Sequence, residues 1–106
     1  MIVVLASIDL NPGTREFFLA EFHKIVPQVL AEQGCIEYYP HTEHASDLPG
    51  QGMPNENLAV IVEKWETIEH LKAHLAAPHM LAYRPKVKDF VKQVRLQILE
   101  PAKRGS

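Results

Sequence analysis

Between Glu63 and His79 the chain gathers side chains able to move protons and hold a planar molecule. Glu63-Lys64-Trp65 comes first, followed by His70, His74 and, after Pro78, His79; the only tryptophan lies here. An imidazole titrates near neutral pH and is the natural proton carrier if this stretch lines a cleft. His70 and His74 are four residues apart and share one side of a helix. Zinc uses such spacing but needs a third ligand. His79 offers one, yet the HExxH signature is absent, so no metal site is expected. Without a metal, His70 is expected in solvent and His74 beside an apolar stripe of Leu71 and Leu75. Trp65 is either an aromatic wall over a planar substrate or simply core. Glu63, on the same strand face, is either a buried carboxylate with a raised pKa or the partner of a basic residue such as Arg95.

The positioning elements follow from periodicity. Ile2 to Ile8 is a β-branched run that reads as a central strand, interrupted only by Ser7. Asn11-Pro12-Gly13-Thr14 ends it and offers helix caps in Asn11 or Thr14. Phe18, Phe22, Ile25, Val26 and Val29 then mark one face of an amphipathic helix. Pro27 should kink this helix and Gly34 should stop it. A second strand, Cys35 to Thr42, puts Tyr39 and His41 on one face and Tyr38 and Thr42 on the other. Residues 45–57 are a polar loop rich in Pro and Gly, long for so small a domain. Leu58 to Trp65 is the third strand. Thr67 caps a short helix with Ile68, Leu71 and Leu75 as its stripe. Pro78 opens another helical stretch carrying Leu81, Tyr83, Val87 and Phe90. Val94, Leu96 and Ile98 alternate with Arg95 and Gln97 as a half-exposed last strand. The order β-α-β-β-α-β is the ferredoxin-like α+β arrangement: one antiparallel sheet, helices on one face, the other face bare. A bare face rich in Val and Leu invites a second copy.

Bulk properties exclude several classes. The 106 residues fit one domain, 1–106, with the 45–57 loop as an insertion and 101–106 as a tail. A formal charge of −2 and no basic stripe argue against nucleic acid. The lone Cys35 cannot form an internal disulfide. No segment has the apolar length of a membrane span. A cytoplasmic protein is expected. The absence of GxGxxG, P-loop, GxSxG and CxxC patterns leaves nucleotide cofactors and serine hydrolysis unsupported.

Two motifs then point to a family. Gln33-Gly34-Cys35-Ile36-Glu37-Tyr38 is similar to the EPGCxxY helix-to-strand turn of antibiotic biosynthesis monooxygenase (ABM) domains. Glu63-Lys64-Trp65, with Ile68, Leu71, His74-Leu75 and Pro78-His79, resembles that family's ExW…L..HL..PH segment. The resemblance spans almost the whole chain. It implies a homodimeric α/β barrel and a cleft between sheet and helices. It also implies an oxidoreductase: a cofactor-independent monooxygenase acting with molecular oxygen on a small phenolic, quinol or polycyclic aromatic substrate. His74 and His79 are the expected proton acceptors and Trp65 a stacking wall. Tyr83, Glu63, Ser7 and Tyr39 are the expected substrate contacts. Family members that degrade haem carry an Asn on the first strand, where this chain has Ser7. Arg84 falls near the position of their ligating His, so haem chemistry is not expected. A cofactor-free isomerase and a non-catalytic dimeric binding protein are the alternatives on the same fold.

Overall fold

The computed structural model describes residues 1–105. The elements are β1 (Ile2–Leu10), α1 (Arg15–Leu30), β2 (Cys35–His41), β3 (Leu58–Trp65), α2 (Ile68–Leu75), α3 (Pro78–Val87) and β4 (Val91–Leu99). The strands form one sheet in the order β2-β3-β1-β4, with every neighbouring pair antiparallel. This is the ferredoxin-like α+β fold. The second helical segment is divided because Pro78 favours a first helical position and forces Ala77 into an extended conformation, φ −64° and ψ 142°.

Alternation decides which side chains meet the helices. Val4, Ala6, Ile8 and Leu10 of β1 point inward, as do Ala59, Ile61, Glu63 and Trp65 of β3 and Tyr38 of β2. Phe18, Phe22, Ile25, Val26 and Val29 of α1, Leu71 of α2, and Met80, Tyr83 and Val87 of α3 pack onto them to close the core. Val3, Leu5 and Ser7 of β1 and Val60 and Val62 of β3 form the opposite face and remain partly exposed.

Several local expectations are corrected. Thr14 occupies the N-cap of α1, but its hydroxyl caps no helical N–H; it donates instead to the Asn11 carbonyl at 2.7 Å. Helix α1 runs through Pro27 and ends one turn later. Leu75 and Leu81, expected in the apolar stripes, are 43 % and 57 % exposed, and His74 and Met80 hold the buried positions instead. β4 is more open than a half-exposed strand: Val94, Leu96 and Ile98 pair with Ile8, Ala6 and Val4 on the helix side, yet no helix covers them.

Gly34 is required where it stands. Its φ is +82°, and a Cβ there would lie 2.3 Å from His70 Cγ. The turn into β2 therefore lies directly against α2. Residues 42–57 form no helix or strand. Arg15 Nη1 donates to the carbonyls of Asn55 and Leu58 at 3.2 Å, tying the end of this loop to α1. No helix among the described residues is long and apolar enough to cross a membrane.

Candidate active site

A cavity of about 710 Å³ lies between the inner sheet face and the helices. That is within the usual size of a small-molecule site. Its floor is Ala6, Ile8, Ile61 and Phe22; its rim is Leu75, Leu81, Arg84, Lys88, Val94 and Leu96. It is open at the rim because α3 leaves the inner face of β4 uncovered. Four polar side chains reach the interior: Tyr38, Glu63, His74 and Tyr83.

His74 is 1 % exposed. Its ring packs on Trp65, with centroids 4.7 Å apart, and meets Tyr38 edge-on at 5.2 Å. Nδ1 lies 2.9 Å from Glu32 Oε2. No group among the described residues bonds Nε2. Every buried side-chain nitrogen and oxygen among the described residues has a partner, so Nε2 has an open surface, and the surface this ring lines is the cavity. Burial pushes the imidazole pKa down, against the opposing pull of Glu32; His79 and Arg84 lower it further. His74 is thus a neutral base at neutral pH.

Glu63 is 6 % exposed and lies between Val4 and Tyr38 on the sheet. Its Oε1 accepts from Trp65 Nε1–H at 3.1 Å. Burial raises its pKa to about 7; the Trp65 hydrogen bond offsets part of this and Glu32 adds to it. The reading of Glu63 as a buried carboxylate with a raised pKa holds, and pairing with Arg95 does not occur. Arg95 sits on the other face and meets Asp9 at 3.4 Å. Burial also raises the phenol pKa values of Tyr38 and Tyr83, so both stay protonated and can donate.

The sequence-predicted residues divide. His74, Glu63 and Tyr83 converge on the cavity. Trp65 is fully buried and does not line it; instead of a wall over substrate, it is the backing of His74 and the donor to Glu63. His79 also stands outside, on a smaller pocket with Glu21, Lys24 and Gln28. Its Nε2 lies 2.7 Å from Glu32 Oε2. Ser7 and Tyr39 lie on the opposite sheet face, paired with Val60 and Val62, and the structure does not bring them to the cavity. Alternation separates Tyr38 from Tyr39, and Tyr38 is the inward one. Burial likewise pushes the Cys35 thiol up to about 11, which leaves it a poor nucleophile.

Glu32 escaped the sequence reading. The signal was present: it immediately precedes the Gln33-Gly34-Cys35 turn, which packs against α2. Among the described residues, Glu32, His74 and His79 are the one group of three His, Cys, Asp or Glu whose ligand atoms all lie within 4.8 Å of one another. Both rings already hydrogen-bond Glu32 Oε2. A metal ion there would have to displace both bonds. His70 stands apart, 2.7 Å from the Thr67 hydroxyl at the start of α2.

The site is thus an apolar, partly open cavity on the inner face of a ferredoxin-like α+β sheet, lined in part by a buried imidazole. The chain belongs to the antibiotic biosynthesis monooxygenase family, whose model matches residues 1–86. It is 43 % identical over 103 residues to the Escherichia coli K12 protein named "Probable quinol monooxygenase YgiN", covering 95 % of this chain and 98 % of that one. Among solved structures, PA3566 from Pseudomonas aeruginosa has a TM-score of 0.80 at 22 % identity, covering 96 % of this chain and 94 % of that one. Rv0793 from Mycobacterium tuberculosis has a TM-score of 0.77 at 24 % identity, covering 99 % and 98 %. These two establish likeness of fold.

Proposed function

We propose that this protein is a cofactor-independent monooxygenase that oxidises a small quinol, phenol or polycyclic aromatic compound with molecular oxygen. One observation carries the reading: a buried imidazole, one of whose ring nitrogens has no partner among the described residues, lines an apolar cavity large enough for a fused-ring phenol. The name of the E. coli relative, a probable quinol monooxygenase, points to the same substrate class.

The chemistry needs little from the protein. His74 Nε2 takes the hydroxyl proton, leaving an electron-rich aromatic oxyanion and an imidazolium. The oxyanion passes one electron to oxygen. The resulting radicals combine at a ring carbon to a peroxide, and loss of water leaves a carbonyl. For a quinol the balance is quinol plus O₂ giving hydroxyquinone plus water. The protein's part is to remove the proton, fix the ring and keep water away. Tyr38, Glu63 and Tyr83 orient the substrate oxygens, while Phe22 and Ile61 hold the ring plane.

The working unit is a homodimer joined through the outer sheet face, where Val3, Leu5, Val60 and Val62 are only partly covered. Val62→Asp should shift sedimentation from dimer to monomer, and an unchanged species would count against this assembly. The function is tested by oxygen uptake with reduced naphthoquinones, benzoquinols and anthrones. Uptake above the buffer rate is expected, at one O₂ per substrate and unaffected by catalase. Product formed without oxygen would turn the reading to an isomerase. Binding without turnover would make the protein a carrier.

A further inference from the structure

We infer that Glu32 is the positioning residue of this site: it fixes the tautomer of His74, so that the ring proton sits on Nδ1 and the Nε2 lone pair faces the cavity. This rests on the reading of His74 as the proton acceptor.

Three observations carry it. The first is the contact itself. A carboxylate only accepts hydrogen bonds, so the His74 Nδ1 that lies 2.9 Å from Glu32 Oε2 must be the donor. A neutral imidazole has one N–H, and Nε2 is then the acceptor. The second is the rigidity of the platform. The Glu32 N–H donates to the Val29 carbonyl at 2.9 Å, and its own carbonyl accepts from the Cys35 N–H at 3.2 Å. Gly34, whose φ allows the turn, brings the segment against α2. The third is the second anchor. His79 Nε2, at 2.7 Å from the same oxygen, gives the carboxylate a further partner. His79 is therefore a brace on Glu32, set apart from the cavity that substrate would enter.

The alternative tautomer would point an N–H into the cavity and leave no base there. A carboxylate beside Nδ1 also stabilises the imidazolium that forms when Nε2 takes a proton, as an aspartate does behind a catalytic histidine. The other titratable groups facing His74 are Tyr38 from β2, Glu63 from β3, and His79, Tyr83 and Arg84 from α3. Of these, only His79 touches Glu32.

The test is long-range ¹H–¹⁵N correlation NMR on histidine-labelled protein, which reads tautomers without substrate. Wild type should show His74 protonated at Nδ1 and bare at Nε2. Glu32→Gln should keep that tautomer, since its amide oxygen still accepts, but move the His74 titration midpoint to lower pH because the charge is gone. Glu32→Ala should shift the proton towards Nε2 and lower kcat at least about tenfold with KM little changed. If Glu32→Ala does not fold, the Glu32→Gln midpoint decides alone. The idea is overturned if wild-type His74 carries its proton on Nε2, or if the midpoint stays fixed in Glu32→Gln. It is also overturned if one equivalent of zinc shifts both rings in wild type but not in Glu32→Gln, because the trio would then be a metal site. If no quinol is oxidised while the tautomer is as stated, the positioning role stands and the proposed reaction falls.

Discussion

Val4, Ala6 and Ile8 point toward the helices; Val3, Leu5 and Ser7, each one residue away on the same strand, point the other way. The two faces share a backbone but not an environment. On the inner face a carboxylate and an imidazole are largely withdrawn from water, and each shifts toward its neutral form. On the outer face the charges are paired at the surface: Lys64 with Glu37 at 3.3 Å and Arg95 with Asp9 at 3.4 Å. Such exposed pairs contribute little, about 0–1 kcal/mol. Burial on one face, rather than residue type, sets the protonation of Glu63 and His74 apart from that of exposed carboxylates and imidazoles.

The sharpest way to break this contrast is to remove the inner base. His74→Ala should lower kcat for quinol oxidation by roughly 10²- to 10⁴-fold, the usual share of general-base catalysis, as read by oxygen uptake. On the proposed mechanism the neutral ring takes the proton, and burial lowers its pKa from 6.5. In Glu63→Gln, which removes the carboxyl titration from the cavity, activity should therefore be lost as pH falls through a midpoint below 6.5. A midpoint above 6.5 would contradict the buried base. Next in size is Trp65→Ala, which empties a fully buried site and leaves Glu63 without its donor. It should cost about 3–5 kcal/mol in urea unfolding. Trp65→Phe should cost less while raising the Glu63 pKa further, because the lost hydrogen bond is the one interaction lowering it.

The sequence carried the succession of strands and helices along the chain and the concentration of chemistry between Glu63 and His79. Periodicity is a local property, and β3 was readable to its end residues. Which of two alternating faces the helices cover is not local. Ser7 and Tyr39 were therefore assigned to a pocket on the wrong side of the sheet. Helix α2 shows the same limit. Leu71, His74 and Leu75 all belong to one arc, and only packing against Trp65 and Tyr38 decides that His74 is buried while Leu75 forms the rim. Glu32 is far from His74 in sequence, and only the turn at Gly34 brings it near.

A moderate effect should come from the inner carboxyl. Glu63 keeps its proton up to about pH 7 when folded, against 4.5 for an ordinary glutamate in water. Between these values the folded chain binds more protons than the unfolded one. The associated stability is fully present below 4.5 and is lost as pH rises through about 7. At 1.36 kcal/mol per pKa unit this amounts to a few kcal/mol at most. Glu63→Gln keeps an acceptor for Trp65 and removes the titration. Its urea midpoint should vary less between pH 4 and pH 8 than that of wild type. An equal decline in both proteins would mean that Glu63 is not the group responsible.

The smallest effects should fall on the outer face, and adjacent tyrosines make the comparison direct. Tyr38→Phe removes a hydroxyl that lies in the cavity with His74 and Glu63, so it should reduce kcat/KM several-fold. Tyr39→Phe and Ser7→Ala change the other face, away from every group named in the chemistry. Each should leave kcat within about twofold, because neither side chain reaches the cavity; both lie on the face proposed to join the dimer, so sedimentation must show the dimer kept. Parallel steady-state assays of the three variants measure this. Because the two tyrosines share a strand, a segment-wide disturbance would affect both alike. A loss in Tyr39→Phe equal to that in Tyr38→Phe would place chemistry on both faces, and burial would no longer explain why only one of them works.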